Sequence, residues 1–412
     1  MLTQKKTKAI MLWDTPVKRV MFRDKQIWPE EKTYNTMTIR WQETSNPEDF
    51  FLEYLDDAEW LTQGDSAFDE FFWYKPVLLN ASWVETAELN PNNYAEDINW
   101  NPVNITWWDN VMVEFPRRWI KMSKDGDIVT LSITDNPDAE ADWFQYFAHS
   151  RWTFDNPIKK DKFYLWAYKG FISVSNQRLQ SWSGQNPTWV TTFADFLLAA
   201  RRNDWNTWDN WYELQWYYQR MYIIALYFMK YGNPDSQSVI WLGYTGWTSV
   251  PQTWATNTVW MTWVTNTSNQ GRVKLFWIED VRWAAHEFVA WVKTWIEAEN
   301  FPLYTTLSNF NDVVWWDYGG YTNHWAWIVL WRQNRNVTKI VWDNYKMFAA
   351  AANVINNNYD TYYCDNAQVL ANRICIIWQS YNAWKAAGIT RVYLWTEPSS
   401  TSAANVARLM YL

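Results

Sequence analysis

Apolar and polar positions alternate most clearly between Val111 and Thr134. Met112-Val113-Glu114-Phe115 and Ile120 to Ser123 each run into turn-forming residues, and Ser123-Lys124-Asp125-Gly126-Asp127 leads into Ile128-Val129-Thr130-Leu131-Ser132-Ile133. A period of two broken by Asp-Gly predicts a β-hairpin, because glycine reaches the backbone angles that a tight hairpin turn demands. Lys162 to Tyr168 predicts a further strand, and shorter β-like runs occur at Lys18 to Phe22 and Thr36 to Trp41. From about Thr188 the texture changes. Thr192 to Arg202 reads as an amphipathic helix and Glu213 to Tyr231 as a longer one, after which short strands are separated by clusters of Trp, Gly, Asn and Thr. There is no tandem repeat. The pattern predicts an α+β chain with a β-rich N-terminal half.

Composition narrows the function classes. With 48% apolar residues in 412, the chain can bury a large core and is not disordered. Mean hydropathy is -0.45, and no run approaches the ~18 apolar residues that span a bilayer, so no membrane insertion is expected. Lys5, Lys6 and Lys8 are followed by no apolar segment, so no secretory signal is read. A net charge of -8 without a basic block argues against nucleic acid as a partner.

The tryptophans change the picture. The chain has 37 Trp and only 11 Gly, an inversion of ordinary usage. Trp should fall on core faces. Here it falls among turn formers: Asp204-Trp205, Thr207-Trp208-Asp209, Asn210-Trp211, Asn99-Trp100, Trp107-Trp108-Asp109, Asp142-Trp143, and Trp315-Trp316-Asp317-Tyr318-Gly319-Gly320. These are the contexts in which Asn-Gly, Asp-Gly and Gly-Gly make turns. The two predicted helices carry only Trp216 between them, and helix interiors are where glycine is disfavoured. Most Trp positions are therefore expected to stand where the living protein has glycine, through UGA codons decoded as glycine. Trp28 and Trp216 are the best candidates for authentic tryptophan.

With Trp allowed to mean Gly, three stretches carry a resemblance. Phe115-Pro116-Arg117-Arg118-Trp119-Ile120-Lys121-Met122, Ala148-His149-Ser150-Arg151-Trp152 and Asp161 to Gly170 are similar to the middle region of phage tail and fibre proteins. The segment Asn233 to Gly243, following the long helix, resembles the entry to their C-terminal domain. Leu275-Phe276-Trp277-Ile278-Glu279-Asp280-Val281-Arg282-Trp283-Ala284-Ala285-His286-Glu287-Phe288 resembles the signature of the formylglycine-generating-enzyme type of C-type-lectin fold, with Trp277 and Trp283 on the two family glycines. Ala284 replaces the family's Asn. Arg373 to Ser380 and Val406 to Tyr411 resemble the closing strands. The resemblance implies an attachment and oligomerisation region at 1–95, a β-rich middle domain at 96–187, and at 188–412 a C-type-lectin-like ligand-binding domain with two helices and short antiparallel strands. Its functional neighbours are phage receptor-binding proteins, including those diversified by retroelements.

The candidate chemistry is sparse. An oxidase of the formylglycine-generating type needs a close pair of reactive cysteines, whereas Cys364 and Cys375 are separated in sequence and Cys375 lies in the apolar run Ile374-Cys375-Ile376-Ile377. His149, His286 and His324 are dispersed, and His286-Glu287 lacks the second His of a zinc-protease helix. Trp241-Leu242-Gly243-Tyr244-Thr245-Gly246 would spell a dinucleotide fingerprint, but Pro251 denies the helix that should follow. No acidic loop has calcium-ligand spacing. Glu397-Pro398-Ser399 is similar to the Glu-Pro-Asn sugar site of animal lectins but departs from it at the last residue. No catalytic residue, metal ligand or cofactor is expected.

The stretch Asn353 to Asn366 holds five Asn, three Tyr, two Asp and one Thr, which is a paratope composition: rigid aromatic area with adaptable amides. The candidate ligand-binding residues are Asn357, Asn358, Tyr359, Tyr362, Tyr363 and Asn366, joined by Ser380, Tyr381 and Asn382 and by Glu397, Ser399 and Ser400, on the expectation that late loops of this fold gather at one end. The resulting expectation is a virion tail protein, made in the host cytoplasm and trimeric. It would bind a host cell-surface receptor, protein or glycan, and other tail proteins. The alternatives are an oxidase of the formylglycine-generating type and a purely structural tail component.

Overall fold

The computed structural model describes residues 34–294 apart from 43–50, 83, 153–156, 190, 204–211, 234–235, 241–249, 260–262, 266–270 and 282–285. Outside that span it describes individual strands and a few turn residues. The described residues are β-rich, with several antiparallel sheets and few helices.

The predicted hairpin forms, with its turn one residue later than the expected Asp-Gly pair. Trp119–Asp125 pairs with Ile128–Thr134, Asp125 opposite Ile128, leaving Gly126 and Asp127 as a two-residue loop. Gly126 takes φ +59, the first-position glycine of a type II′ turn. Met122, Leu131 and Ile39 are buried, because alternate residues share a face. Thr36–Gln42 and Leu52–Asp56 extend this hairpin to a four-stranded sheet.

A separate sheet has seven strands. Its order is Tyr212–Leu214, Leu409–Tyr411, Lys162–Trp166, Asn110–Pro116, Lys75–Leu79, Glu85–Asn90 and Asn93–Asp97. Asn110–Pro116 is central, and Asn110 to Phe115 are all buried, as a strand covered on both faces requires. The three stretches 1–95, 96–187 and 188–412 all contribute strands, so this sheet runs across both expected boundaries.

Helix α1 (Ala67–Phe72) buries Phe68, Phe71 and Phe72. Helix α2 (Phe193–Arg201) starts at Thr192, whose hydroxyl accepts the Asp195 N–H at 3.1 Å, a cap worth ~1 kcal/mol. Helix α3 (Tyr217–Tyr231) is buried from Tyr217 to Lys230 and therefore runs through the core. Phe228 stacks on Trp41 at 5.3 Å, and Tyr222 meets Phe115, Phe163 and His149 edge-on at 6.1, 5.5 and 5.0 Å. The helix expected from Glu213 begins later than its periodicity suggests. Tyr212–Leu214 is instead drawn into the sheet by pairing with Leu409–Tyr411, and the Trp216 N–H is held by Gln219 Oε1 at 3.1 Å.

A further sheet contains Thr322–Asn323, Leu303–Thr305, His286–Thr294, Ile374–Ile377, Val392–Thr396, Asn366–Val369, Arg335–Asp343 and Lys346–Val354, with Asn405–Ala407 parallel to His286–Thr294. No described helix is long and apolar enough to cross a membrane.

Candidate functional site

Residues 272–280, with Glu287, Lys169 and Arg408, form a buried charged cluster. Glu287, the second residue of the strand His286–Thr294, is fully buried between two cations. Arg408 Nε donates to Glu287 Oε1 at 2.9 Å and Oε2 at 3.0 Å, and Lys169 Nζ donates to Oε1. The rest of the Arg408 guanidinium reaches backbone carbonyls, Nη2 to Glu279 and Asp280 at 2.6 and 3.0 Å, Nη1 to Trp166 at 3.3 Å. Next to it, Arg272 binds both Asp280 oxygens at 3.0 and 2.8 Å and Glu279 Oε1 at 2.8 Å. Glu279 Oε2 accepts the N–H and hydroxyl of Thr256, both at 2.9 Å.

Three carboxylates thus meet three cations, all almost fully buried. Burial pushes Lys169 down to about 8 against the pull of Glu287, and pushes Lys274, whose ammonium lies 3.8 Å from the Tyr94 ring, down to about 7 against the pull of Glu279. The carboxylates and guanidinium groups are engaged with one another and with backbone, so the cluster is a cross-link between distant segments and lacks the uncommitted nucleophile or base that catalysis needs.

A second cluster crosses the seven-stranded sheet. Lys162 bonds Glu114 at 2.7 Å and also Glu85, Lys75 bonds Glu88 at 3.0 Å, and the Tyr164 hydroxyl donates to Glu85 at 2.5 Å. Burial would raise Glu85, but hydrogen bonds with Glu114, Lys162 and Tyr164 bring it to about 2; Glu114 is raised by burial and by Glu85. Carboxylates pushed apart in this way occur in acid–base pairs, but both are tied to Lys162, from two strands on either side of Lys75–Leu79. They act here as an ion-pair ladder.

The strand registers show where the candidate loops leave the C-terminal sheet. Arg335 lies opposite both Val354 and Ala367, and Asn336 opposite both Asn353 and Asn366. The Asn- and Tyr-rich residues 355–365 therefore start and finish on either side of Arg335–Asn336. Asn366–Val369 runs parallel to Val392–Thr396, and Ile374–Ile377 antiparallel to it, with Ile377 opposite Val392. The segments 355–365 and 378–391 consequently join the sheet at the same end. Glu287 lies opposite Ile377, so the buried cross-link sits at that end as well.

Among the candidate residues, Asn366 opens its strand and Ser399 is an exposed turn residue. Asn357, Asn358, Tyr359, Tyr362, Tyr363, Ser380, Tyr381, Asn382, Glu397 and Ser400 lie outside the described residues. Glu397 follows Thr396, which pairs with Ile374, so the Glu397 to Ser400 segment leaves from the opposite end of its strand.

Cys375 sits in Ile374–Ile377 opposite Val289, while Cys364 lies outside the described residues. His149 is fully buried, its Nε2 donating to the Phe115 carbonyl at 3.2 Å, and burial pushes it down to about 3. No group of three or more His, Cys, Asp or Glu side chains suited to a metal occurs among the described residues. The sequence reading missed the roles of Lys169, Arg272 and Arg408. Their partners lie as far as 242 residues away, and no local pattern points to them. Comparison with protein-family models and with curated proteins found no match.

Proposed function

We propose that this is a receptor-binding protein of a phage or prophage tail, which uses loops on a C-type-lectin-like scaffold to hold a host cell-surface protein or glycan without chemistry. The observation that supports this reading is the strand register, by which the strands flanking residues 355–365 and 378–391 meet those segments at one end of the same sheet. The first carries Tyr359, Tyr362 and Tyr363 among asparagines, and the second carries Ser380, Tyr381 and Asn382. Tyrosines offer large contact area with few torsions to freeze, and amides adapt their hydrogen bonds to different partners. The buried Glu287 cross-link stiffens the same end, which lowers the ordering cost of binding. Asn, Tyr, Asp and Ser form the palette that adenine mutagenesis of Asn codons yields, which fits diversification by a retroelement. Several copies on one particle would add avidity to a weak single contact.

The test is adsorption. Replacing Tyr359, Tyr362 and Tyr363 together by Ala should abolish binding of the purified protein to host cells, with the melting temperature unchanged. Undiminished binding by that folded variant would reject the site.

A further inference from the structure

Ten described residues other than glycine have positive φ, and six of them are tryptophan: Trp73, Trp100, Trp108, Trp143, Trp254 and Trp277. Trp supplies 37 of 412 residues, so its share of these positions is far above its share of the chain. A bulky side chain is an outlier in this half of backbone space, because Cβ meets the adjoining carbonyl. The buried Trp41, Trp119, Trp166 and Trp216 are not among the ten. The property belongs to a subset of positions and not to tryptophan as such.

Two helix ends show what those positions need. Helix α3 closes on Gly232 at φ +56, ψ +12, with its N–H on the Phe228 carbonyl at 2.7 Å. Helix α1 closes on Trp73 at φ +49, ψ +38, with its N–H on the Asp69 carbonyl at 2.9 Å. The cap is the same in both, and it is the left-handed end that glycine normally fills. Trp143 ends the short turn Ala139–Asp142 in the same conformation at φ +69. At the hairpin joining Gly271–Leu275 to Ile278–Glu279, Leu275 pairs with Ile278 and leaves Phe276 and Trp277 at φ +49 and +62. Two positive angles in a two-residue loop define a type I′ turn, whose second position favours glycine. Exposure gives an independent observation. Trp73, Trp100, Trp108, Trp143 and Trp254 are 56% to 75% exposed, although tryptophan is on average a highly buried residue. Trp277 is buried, and there the turn geometry decides.

We infer that the protein made in its natural host carries glycine at Trp73, Trp100, Trp108, Trp143, Trp254 and Trp277, because its gene uses UGA as a glycine codon. The backbone at these six sites is set for a residue without Cβ. The exposed indoles lie mostly in solvent, with Trp108 meeting only the neighbouring exposed Trp107 among the described ring contacts.

The gene and the natural protein test this directly. UGA at all six codons, with peptide masses from the protein recovered from its source corresponding to glycine, is the expected result; UGG codons or tryptophan masses overturn the inference. A second measurement addresses the backbone alone. The full chain with all six positions changed to Gly should melt above the tryptophan chain, since glycine takes positive φ without the steric cost of a Cβ. It should also melt above the chain with all six changed to Ala. An alanine chain that melts as high as the glycine chain shows that the left-handed angles are not required, and overturns the inference.

Discussion

Two networks of charge cross-link this protein, and burial separates them. Around Glu287, acids and cations from residues 169, 272, 279, 280, 287 and 408 are sealed from water. On the seven-stranded sheet, Lys75, Glu85, Glu88 and Lys162 keep 25–42% of their side-chain surface in solvent. The distances are alike, but removing a partner should not cost the same. A sealed charge that loses its counterion has no water to turn to, whereas a surface charge rehydrates.

The sharpest way to break the comparison is Glu287→Ala. It leaves Lys169 and Arg408 facing each other in the core and should lower unfolding free energy by about 3–5 kcal/mol, read by urea denaturation. A loss under about 1 kcal/mol would put the buried network in the same class as the surface one.

His149 calibrates the role of burial without an ion pair. Its pKa is about 3 in the fold against about 6.5 in the unfolded chain. Between those values the unfolded chain binds the extra proton, so stability falls as pH drops from about 6.5 toward about 3. His149→Phe should flatten that slope in denaturation curves taken across the interval.

At the alkaline side, Lys274 and Lys169 have folded pKa values of about 7 and about 8, below the unfolded value of about 10.4. From the folded values upward the unfolded chain again holds more protons, so stability climbs with pH until the buried tyrosines oppose it above about 10. Lys274→Met should remove the part of the climb that begins near pH 7. An unchanged profile would show that Lys274 is hydrated.

The smallest effect is expected on the sheet. Glu88→Ala, which leaves Lys75 with Glu85 at 3.5 Å as its remaining ion pair, should cost about 0.2–1 kcal/mol and the cost should shrink as salt is added. A larger, salt-insensitive loss would sharpen the comparison in the other direction, by showing that the sheet face is shielded.

Local pattern made several elements legible. The hairpin around Gly126 and the helix capped by Thr192 follow from short-range periodicity and turn chemistry, and both appear where expected. Glu213 and Leu214 read as helix because their spacing continues the apolar stripe of α3. They form a strand because Leu409–Tyr411, almost two hundred residues later, offers an edge to pair with, and tertiary pairing overrides propensity. The grouping of candidate loops was only partly legible. Composition singles out Asn353 to Asn366, but only the register shows that the strands flanking 355–365 and 378–391 meet those segments at one end of the sheet. Tryptophan beside Asn and Asp was legible as a turn signal because those neighbours carry it, and the positive φ angles of Trp100, Trp108 and Trp143 agree with it.

The strand Leu409–Tyr411 has a consequence for the order of assembly. It lies between Tyr212–Leu214 and Lys162–Trp166, so two strands made much earlier on the ribosome have no contact with each other in the finished sheet until this one arrives. Their facing edges stay open throughout synthesis of the whole C-terminal region, including the candidate receptor loops. Closure of the sheet is thereby a late event that depends on contacts of very long sequence separation, the kind that slows folding and leaves strand edges exposed to other chains. A ribosome that stopped early, for instance at a UGA codon in a foreign host, would release a chain with that gap permanently unfilled.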